Sequence, residues 1–333
     1  MRSFENLECI KLPSVIWGAR FVVLFMLFAG YVYADPNPEP QCSGDIGIWP
    51  KGAKVLTEGK TLSAHDKSTS QDMANAVINP TITVYHPKPP SSRTAIIVFP
   101  GGGYKGLAIG KDSTIGINGS AVAKWLNSNG IACVLLIYRV PNSDCYWDEK
   151  TKRHVTPEFP MALQDAQRAI STLRYNAKKY DLDPNKIGVM GFSAGGNLAV
   201  LSSTAFNKRS YQPIDEIDCV SCKPDFAIPV YPGHMTMEHK NMLPKNIAAT
   251  QLNTDIEVSR EIPPTLLVHA KDDSVDPIHY SLVYEGELKK VGVQVKLNVY
   301  KNGGHAFGVS KSGKATDKWT EDAVAWLKEI GIL

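Results

Sequence analysis

Along this chain, short and mostly apolar runs alternate with longer stretches in which apolar positions recur every three or four residues. The short runs are rich in β-branched residues and cover 82–85, 95–99, 133–138, 187–190, 226–231, 265–269 and 295–300. Several are apolar throughout, as expected for strands covered on both faces. Between them, Phe159, Leu163, Ala166, Ile170, Leu173 and Ala177 share one face of a predicted helix. Pro160 suits its first turn, where a missing N–H costs nothing, and Lys178 and Lys179 suit the negative end of its dipole. Weaker patterns predict helices over 120–129, 197–205 and 281–291, and Trp319, Ala323, Trp326, Leu327 and Ile330 mark a last one. Such alternation predicts an α/β fold, a doubly wound and mostly parallel sheet in a single domain over 61–333. Residues 236–262 read as a small lid or an irregular crossing between two late strands.

The first 34 residues follow a different pattern. Arg2, Lys11 and Arg20 precede an apolar run over 21–29 that extends, interrupted, to Val32. Val32-Tyr33-Ala34 reads as a small-residue cleavage site, and Asp35-Pro36-Asn37-Pro38 cannot continue a helix. This order is that of an export signal cleaved after Ala34. The run is short for a membrane span, so no stable span is expected after cleavage, and the mature chain is expected to be secreted or periplasmic. An uncleaved signal anchor is the alternative. Residues 35–60, rich in Pro and Gly, read as a leader into the domain.

Composition removes other classes. A net charge of +3 with no basic run gives no nucleic-acid footprint. Beyond the signal, Cys42, Cys133, Cys145, Cys219 and Cys222 cannot all pair within one chain. Cys133 lies in an apolar run and is expected as a buried thiol. Cys219-Val220-Ser221-Cys222 lacks the second pair a metal site needs and the context a redox site needs, which favours a local disulfide or two idle thiols. Asn118-Gly119-Ser120 is a glycosylation sequon.

The strongest chemical signal is Gly191-Phe192-Ser193-Ala194-Gly195, directly after the run over 187–190 and opening a helical stretch. A tight strand-to-helix turn strains the serine backbone and lifts its Oγ above the sheet edge. The helix N-terminus adds positive potential where negative charge develops. A serine hydroxyl near neutral pH needs a base, and the base needs an orienting acid. The chain offers them in the order serine, acid, histidine. Asp272-Asp273 stands just past the run over 265–269, and Gly303-Gly304-His305 just past the run over 295–300. In open α/β sheets these strand ends are where sites form. His305 alone combines that order with a glycine-flanked loop. His269, inside a strand, is expected as a packed or supporting residue, and His234, after Pro232-Gly233, is a candidate for lining the pocket. Spacing does not separate Asp272 from Asp273: one should be buried against the imidazole Nδ1–H and the other solvated. We prefer Asp272.

The run over 95–99 ends in Pro100-Gly101-Gly102-Gly103-Tyr104. Glycines after a strand let main-chain N–H groups face a cavity, and with the N–H of Ala194 they can hold the oxyanion of a tetrahedral intermediate, each such donor being worth roughly 3–4 kcal/mol. No phosphate-loop motif is present.

Together these elements resemble the acetylxylan-esterase-like, or BD-FAE-like, esterases of the α/β-hydrolase superfamily, relatives of the hormone-sensitive-lipase-like enzymes. The resemblance runs over about 81–333 and rests on Phe99-Pro100-Gly101-Gly102-Gly103-Tyr104, Tyr138-Arg139-Val140-Pro141, Leu163-Gln164-Asp165-Ala166-Gln167-Arg168-Ala169, Gly191 to Gly196, Tyr231-Pro232-Gly233, His269 to Asp273 and Gly303 to Gly308. It implies the α/β-hydrolase fold, a triad of Ser193, Asp272 and His305, oxyanion donors Gly102, Gly103 and Ala194, and no cofactor or metal. Three departures stand out. Pro100 occupies the place of a histidine in the lipase-like form. Asp276-Pro277 replaces the valine before proline of many relatives, which predicts a differently shaped acid loop. Residues 142–159 are longer and more polar, with Tyr146 and Trp147 as candidates for touching a sugar ring.

The chemistry expected is hydrolysis of short-chain acyl esters, small or carried on an oligosaccharide, with acetylated xylan in view. His305 is expected to act as the neutral base that takes the Ser193 proton. The alternatives are an oligopeptidase-like serine peptidase, an acyltransferase using the same triad, and an inactive carbohydrate-binding module.

Overall fold

The computed structural model describes residues 41–53, 73–74, 77–110, 115–116, 119–140, 146–148, 150, 153–155 and 161–333. The expected export signal, Asn118, Cys145 and the side chains of Tyr146 and Trp147 lie outside the described residues.

The main sheet is built from β1 (Gln41–Gly47), β3 (Thr81–His86), β4 (Ala95–Phe99), β6 (Ala132–Ile137), β9 (Ile187–Phe192), β10 (Ala227–Val230), β11 (Thr265–Ala270) and β12 (Val295–Tyr300). Two small antiparallel ribbons pair β2 (Met73–Ala74) with β5 (Leu107–Ala108), and β7 (Tyr146–Asp148) with β8 (Arg153–Val155). The eight strands run in the order β1-β3-β6-β4-β9-β10-β11-β12. Only β3 runs against the others.

Alternate side chains feed two cores. Ile97 and Phe99 enter one with residues of α2 (Met161–Tyr175), α3 (Ala194–Thr204) and α4 (His279–Lys290). Ile96 and Val98 enter the other with residues of α1 (Ser120–Ser128) and α5 (Trp319–Glu329). Helices on both faces explain why the inner strands carry no polar alternation. This is the doubly wound, mostly parallel sheet that the pattern predicts, and it agrees with the α/β-hydrolase fold that the resemblance implies.

Three details depart from the sequence reading. Residues 41–47, read as part of a leader, form edge strand β1. Its residues are mostly exposed, and it joins the sheet by main-chain pairing, with Ser43 Oγ accepting from the Val84 N–H at 3.1 Å and Thr83 donating to Asp45 at 2.5 Å. Helix α3 starts at Ala194, three residues before the apolar pattern does, because the turn at Ser193 feeds straight into it despite Gly195 and Gly196. Helix α2 is buried over 162–173 on every side, not only along its apolar stripe. Its polar side is covered by residues 48–49 and 205–220. Arg139 pairs with Asp165 at 2.9 Å, and Trp49 donates to the same carboxylate at 2.7 Å. Arg168 reaches Asp215 at 2.7 Å, Asp218 at 2.9 Å and the Ile48 carbonyl at 2.9 Å. Buried charges are tolerated there because each is paired and hydrogen-bonded.

Residues 236–262 form an irregular crossing with a Thr236–Leu252 bridge and short 3-10 turns at Lys240–Met242 and Ile247–Ala249. Asn253 Nδ2 donates to the His234 carbonyl at 2.5 Å, and Thr250 meets the His279 ring at 2.5 Å, tying the crossing down. Cys42, Cys133, Cys219 and Cys222 are free thiols, so the C-x-x-C pair is idle, and Cys133 is buried as expected. Among the described residues no helix is long and apolar enough to cross a membrane.

Candidate active site

The chain leaves β4, returns through α1 to β6 on one side of it, and then places β9 on the other. The carboxyl ends of β4 and β9 therefore flank the point where the winding reverses, the natural crevice of an open α/β sheet. The glycine loop and Ser193 both emerge there.

Ser193 has φ 56° and ψ −118°. No ordinary L-residue rests comfortably in that conformation. Its neighbours enforce it. A Cβ on Gly191 would stand 1.9 Å from the Gly195 carbonyl oxygen, and one on Gly195 would stand 2.1 Å from that of Phe99. Only glycine permits these backbone approaches. The Ser193 N–H donates to Val230 O at 3.1 Å, and its carbonyl accepts from Gly233 at 3.2 Å and Asn197 at 3.1 Å, so the turn is held from both sides.

Three loops converge on the hydroxyl. The His305 Nε2 stands 3.1 Å from Ser193 Oγ, and its Nδ1 stands 2.8 Å from Asp273 Oδ2. The imidazole packs on the Tyr231 ring, centroids 4.8 Å apart. Gly303 brings the histidine loop close to Thr316, where a Cβ would meet the threonine methyl at 2.2 Å.

The structure corrects the preference for Asp272. Asp273 is the buried member of the pair and the one facing the imidazole. Asp272 is exposed and accepts instead from the Gly304 N–H at 2.8 Å, bracing the histidine loop. The reason lies in the turn after β11. Asp273 Oδ1 caps it, accepting from the N–H groups of Val275 and Asp276 at 2.9 Å each, which aims Oδ2 inward. Burial alone would raise this carboxyl. The hydrogen bonds from His269 and His305 outweigh that and hold it well below the usual carboxylate range.

His269 is fully buried, as expected of a supporting residue, with Nδ1 at 2.7 Å from Ser281 Oγ and Nε2 at 2.8 Å from the Asp276 carbonyl. His234 stands in a positive-φ turn, its ring 5.6 Å from that of Tyr104.

Tyr104 closes the glycine loop. Its hydroxyl donates to Asn197 at 2.7 Å, and the Tyr138 hydroxyl donates to Pro100 O at 2.7 Å. Gly102 and Gly103 have φ 132° and 62°. Among the described residues, the N–H groups of Gly102, Gly103 and Ala194 have no hydrogen-bond acceptor within the protein.

One residue at the centre was not anticipated as a site group. Asp276 Oδ2 lies 3.3 Å from Ser193 Oγ and 3.8 Å from His305 Nε2. Burial pushes its carboxyl above the usual range, an effect the nearby His305 opposes and Asp273 reinforces. The departure at Asp276-Pro277 was its only signal in the sequence.

The reversal of winding, the strained serine turn and the histidine loop past β12 define an α/β-hydrolase. The BD-FAE family model matches residues 82–228, and the prolyl oligopeptidase family model matches residues 161–331. An acetylxylan esterase of Xylanibacter ruminicola is 30% identical over 260 residues, covering 73% of this chain and 47% of that protein. A solved acetyl ester-xyloside bifunctional hydrolase from Caldicellulosiruptor lactoaceticus is 30% identical with a TM-score of 0.65, over 90% of this chain and 100% of that one. A thermophilic esterase of Thermogutta terrifontis, solved with propionate bound, shares the fold at 22% identity and a TM-score of 0.58, over 77% of this chain and 91% of that one. The chain belongs to the prolyl oligopeptidase family of α/β-hydrolases. It spans about half the length of the acetylxylan esterase it matches.

Proposed function

We propose that the chain is a serine carboxylic-ester hydrolase of short-chain acyl esters, with acetyl groups on xylan or xylo-oligosaccharides as substrate. The observation carrying this reading is the continuous line from Asp273 through His305 to Ser193, with contacts of 2.8 and 3.1 Å. In this reading Asp273 accepts from Nδ1–H and fixes the tautomer, leaving Nε2 free to take the Ser193 proton. Ser193 Oγ attacks the ester carbonyl. The oxyanion is received by the N–H groups of Ala194 and of Gly102 or Gly103, whose lack of internal acceptors suits them to it. His305 returns the proton to the departing alcohol. Water, deprotonated by the same imidazole, then releases the acid and restores the serine.

The acetylxylan esterase and the acetyl ester-xyloside hydrolase among the relatives support the substrate class. Export with cleavage after Ala34 is part of the same proposal, since a polymeric substrate lies outside the cell. On an ester panel from acetate to octanoate plus acetylated xylan, wild type should favour the short acyl chains and release acetate from the polymer. Ser193→Ala should lower kcat/KM by at least about 10³-fold. Equal rates for wild type and Ser193→Ala would refute the assignment.

The match to the prolyl oligopeptidase model over residues 161–331 favours one second reading, a serine peptidase. Faster cleavage of a chromogenic dipeptide than of p-nitrophenyl acetate would select it.

A further inference from the structure

Asp276 is an odd group to find beside a nucleophile. Ser193 Oγ carries one proton, and two acceptors compete for it, His305 Nε2 at 3.1 Å and Asp276 Oδ2 at 3.3 Å. An ionised carboxylate there draws the hydroxyl away from its base and repels the charge that builds on Oγ. It is also expensive to hold in a partly dry site, with its side chain 16% exposed.

Its position is nevertheless fixed with care. The main-chain N–H of Asp276 donates to Asp273 at 2.9 Å, and its carbonyl accepts from His269 at 2.8 Å. Pro277 restrains the backbone that follows. Opposite the carboxylate stands Gly233, where a Cβ would come within 2.8 Å of Oδ2. The charged and titratable groups around Asp276 are His305, Asp273, His269 and Tyr280.

When the serine is acylated it has no proton to give, and Asp276 loses that donor. During alcohol departure the leaving oxygen must sit within hydrogen-bond reach of His305 Nε2. Asp276 Oδ2, 3.8 Å from that nitrogen, flanks the same space. A second hydroxyl on the carbon adjacent to the one bearing the ester oxygen stands about a hydrogen-bond length from that oxygen, and so falls within reach of Oδ2. An ordinary alkyl ester has nothing to offer there.

We propose that Asp276 is a specificity-determining residue that accepts a hydrogen bond from a free hydroxyl vicinal to the scissile ester, so that the site selects monoesters of 1,2-diols. This rests on the esterase reading above and sharpens its substrate class to the partly acylated diols of sugar rings. The carboxylate that hinders the resting serine is engaged by the substrate hydroxyl as the alcohol binds.

The test compares two acetates whose vicinal oxygen carries either hydrogen or methyl, trans-2-acetoxycyclohexanol and trans-2-methoxycyclohexyl acetate, with p-nitrophenyl acetate as a reference ester. Wild type should favour the free hydroxyl by about 10- to 100-fold in kcat/KM, the range of a hydrogen bond to a charged group. In Asp276→Val that ratio should fall to about 1. In Asp276→Asn, which keeps the shape and one acceptor, it should be intermediate. A ratio near 1 in wild type that still cleaves p-nitrophenyl acetate would overturn the assignment and leave the esterase reading standing. A ratio preserved in Asp276→Val would overturn it too, since a merely structural aspartate would slow all three esters together. Failure of wild type to cleave any ester would remove both readings.

Discussion

The two adjacent aspartates show how one residue of register decides a role. Both follow β11, and both carboxylates accept from the histidine loop. Only Asp273 turns inward, because its Oδ1 is occupied by the Val275 and Asp276 N–H groups. If Asp273 orients the imidazole, Asp273→Asn should lower kcat by up to about 10⁴-fold, as a wrong tautomer does. Asp272→Asn should lower it by less than 10-fold, roughly, because the loop keeps its packing and an amide oxygen can still accept from Gly304. Steady-state kinetics on p-nitrophenyl acetate would check both, and the reverse order would restore Asp272. The glycines of the serine turn act at this scale as well. Gly195→Ala places a methyl on the Phe99 carbonyl and should destabilise the fold by about 1–3 kcal/mol or more while lowering activity. Chemical denaturation would reveal it.

At the level of elements, the sequence foretold most of what is seen, and the exceptions share a cause. Apolar runs announced seven of the eight strands because those strands are covered on both faces or anchor a core face. Strand β1 was missed because an exposed edge strand is held by main-chain hydrogen bonds and needs no apolar run. Helix α2 was predicted from Leu163, Ala166, Ile170 and Leu173, but the burial of Gln164, Asp165, Gln167 and Arg168 was not, since polar residues read as solvated until a partner is known. The serine turn, the glycine loop and the histidine loop were legible because each needs particular residue types at a strand end. The choice between Asp272 and Asp273, and the approach of Asp276 to Ser193, depend on the path of a three-residue turn, which periodicity does not encode.

For the whole molecule, two carboxylates pull stability in opposite directions with pH. Asp273 is held well below its ordinary value in the folded state. The stability it contributes is present above about pH 4, the unfolded value, and disappears as pH falls further. Asp255, in the crossing over 236–262, has a buried Oδ1 with no hydrogen-bond partner, and burial pushes its carboxyl up to about 6. Its contribution is present below about pH 4 and is lost as pH rises toward 6. Asp255→Asn should therefore raise stability at pH 7.5 by roughly 1–3 kcal/mol and give no gain at pH 4. Thermal melts across that range would test it, and an equal gain at both ends would contradict the linkage.

The awkward backbone at Ser193 sets a limit on how far such proteins can be toughened. Replacing that residue by glycine would relieve the torsional penalty, about 1–3 kcal/mol, and should yield a harder-melting but inert molecule. If Ser193 is the nucleophile proposed above, selection for heat resistance alone would reward its loss, and screens for robust variants need a turnover readout at every round.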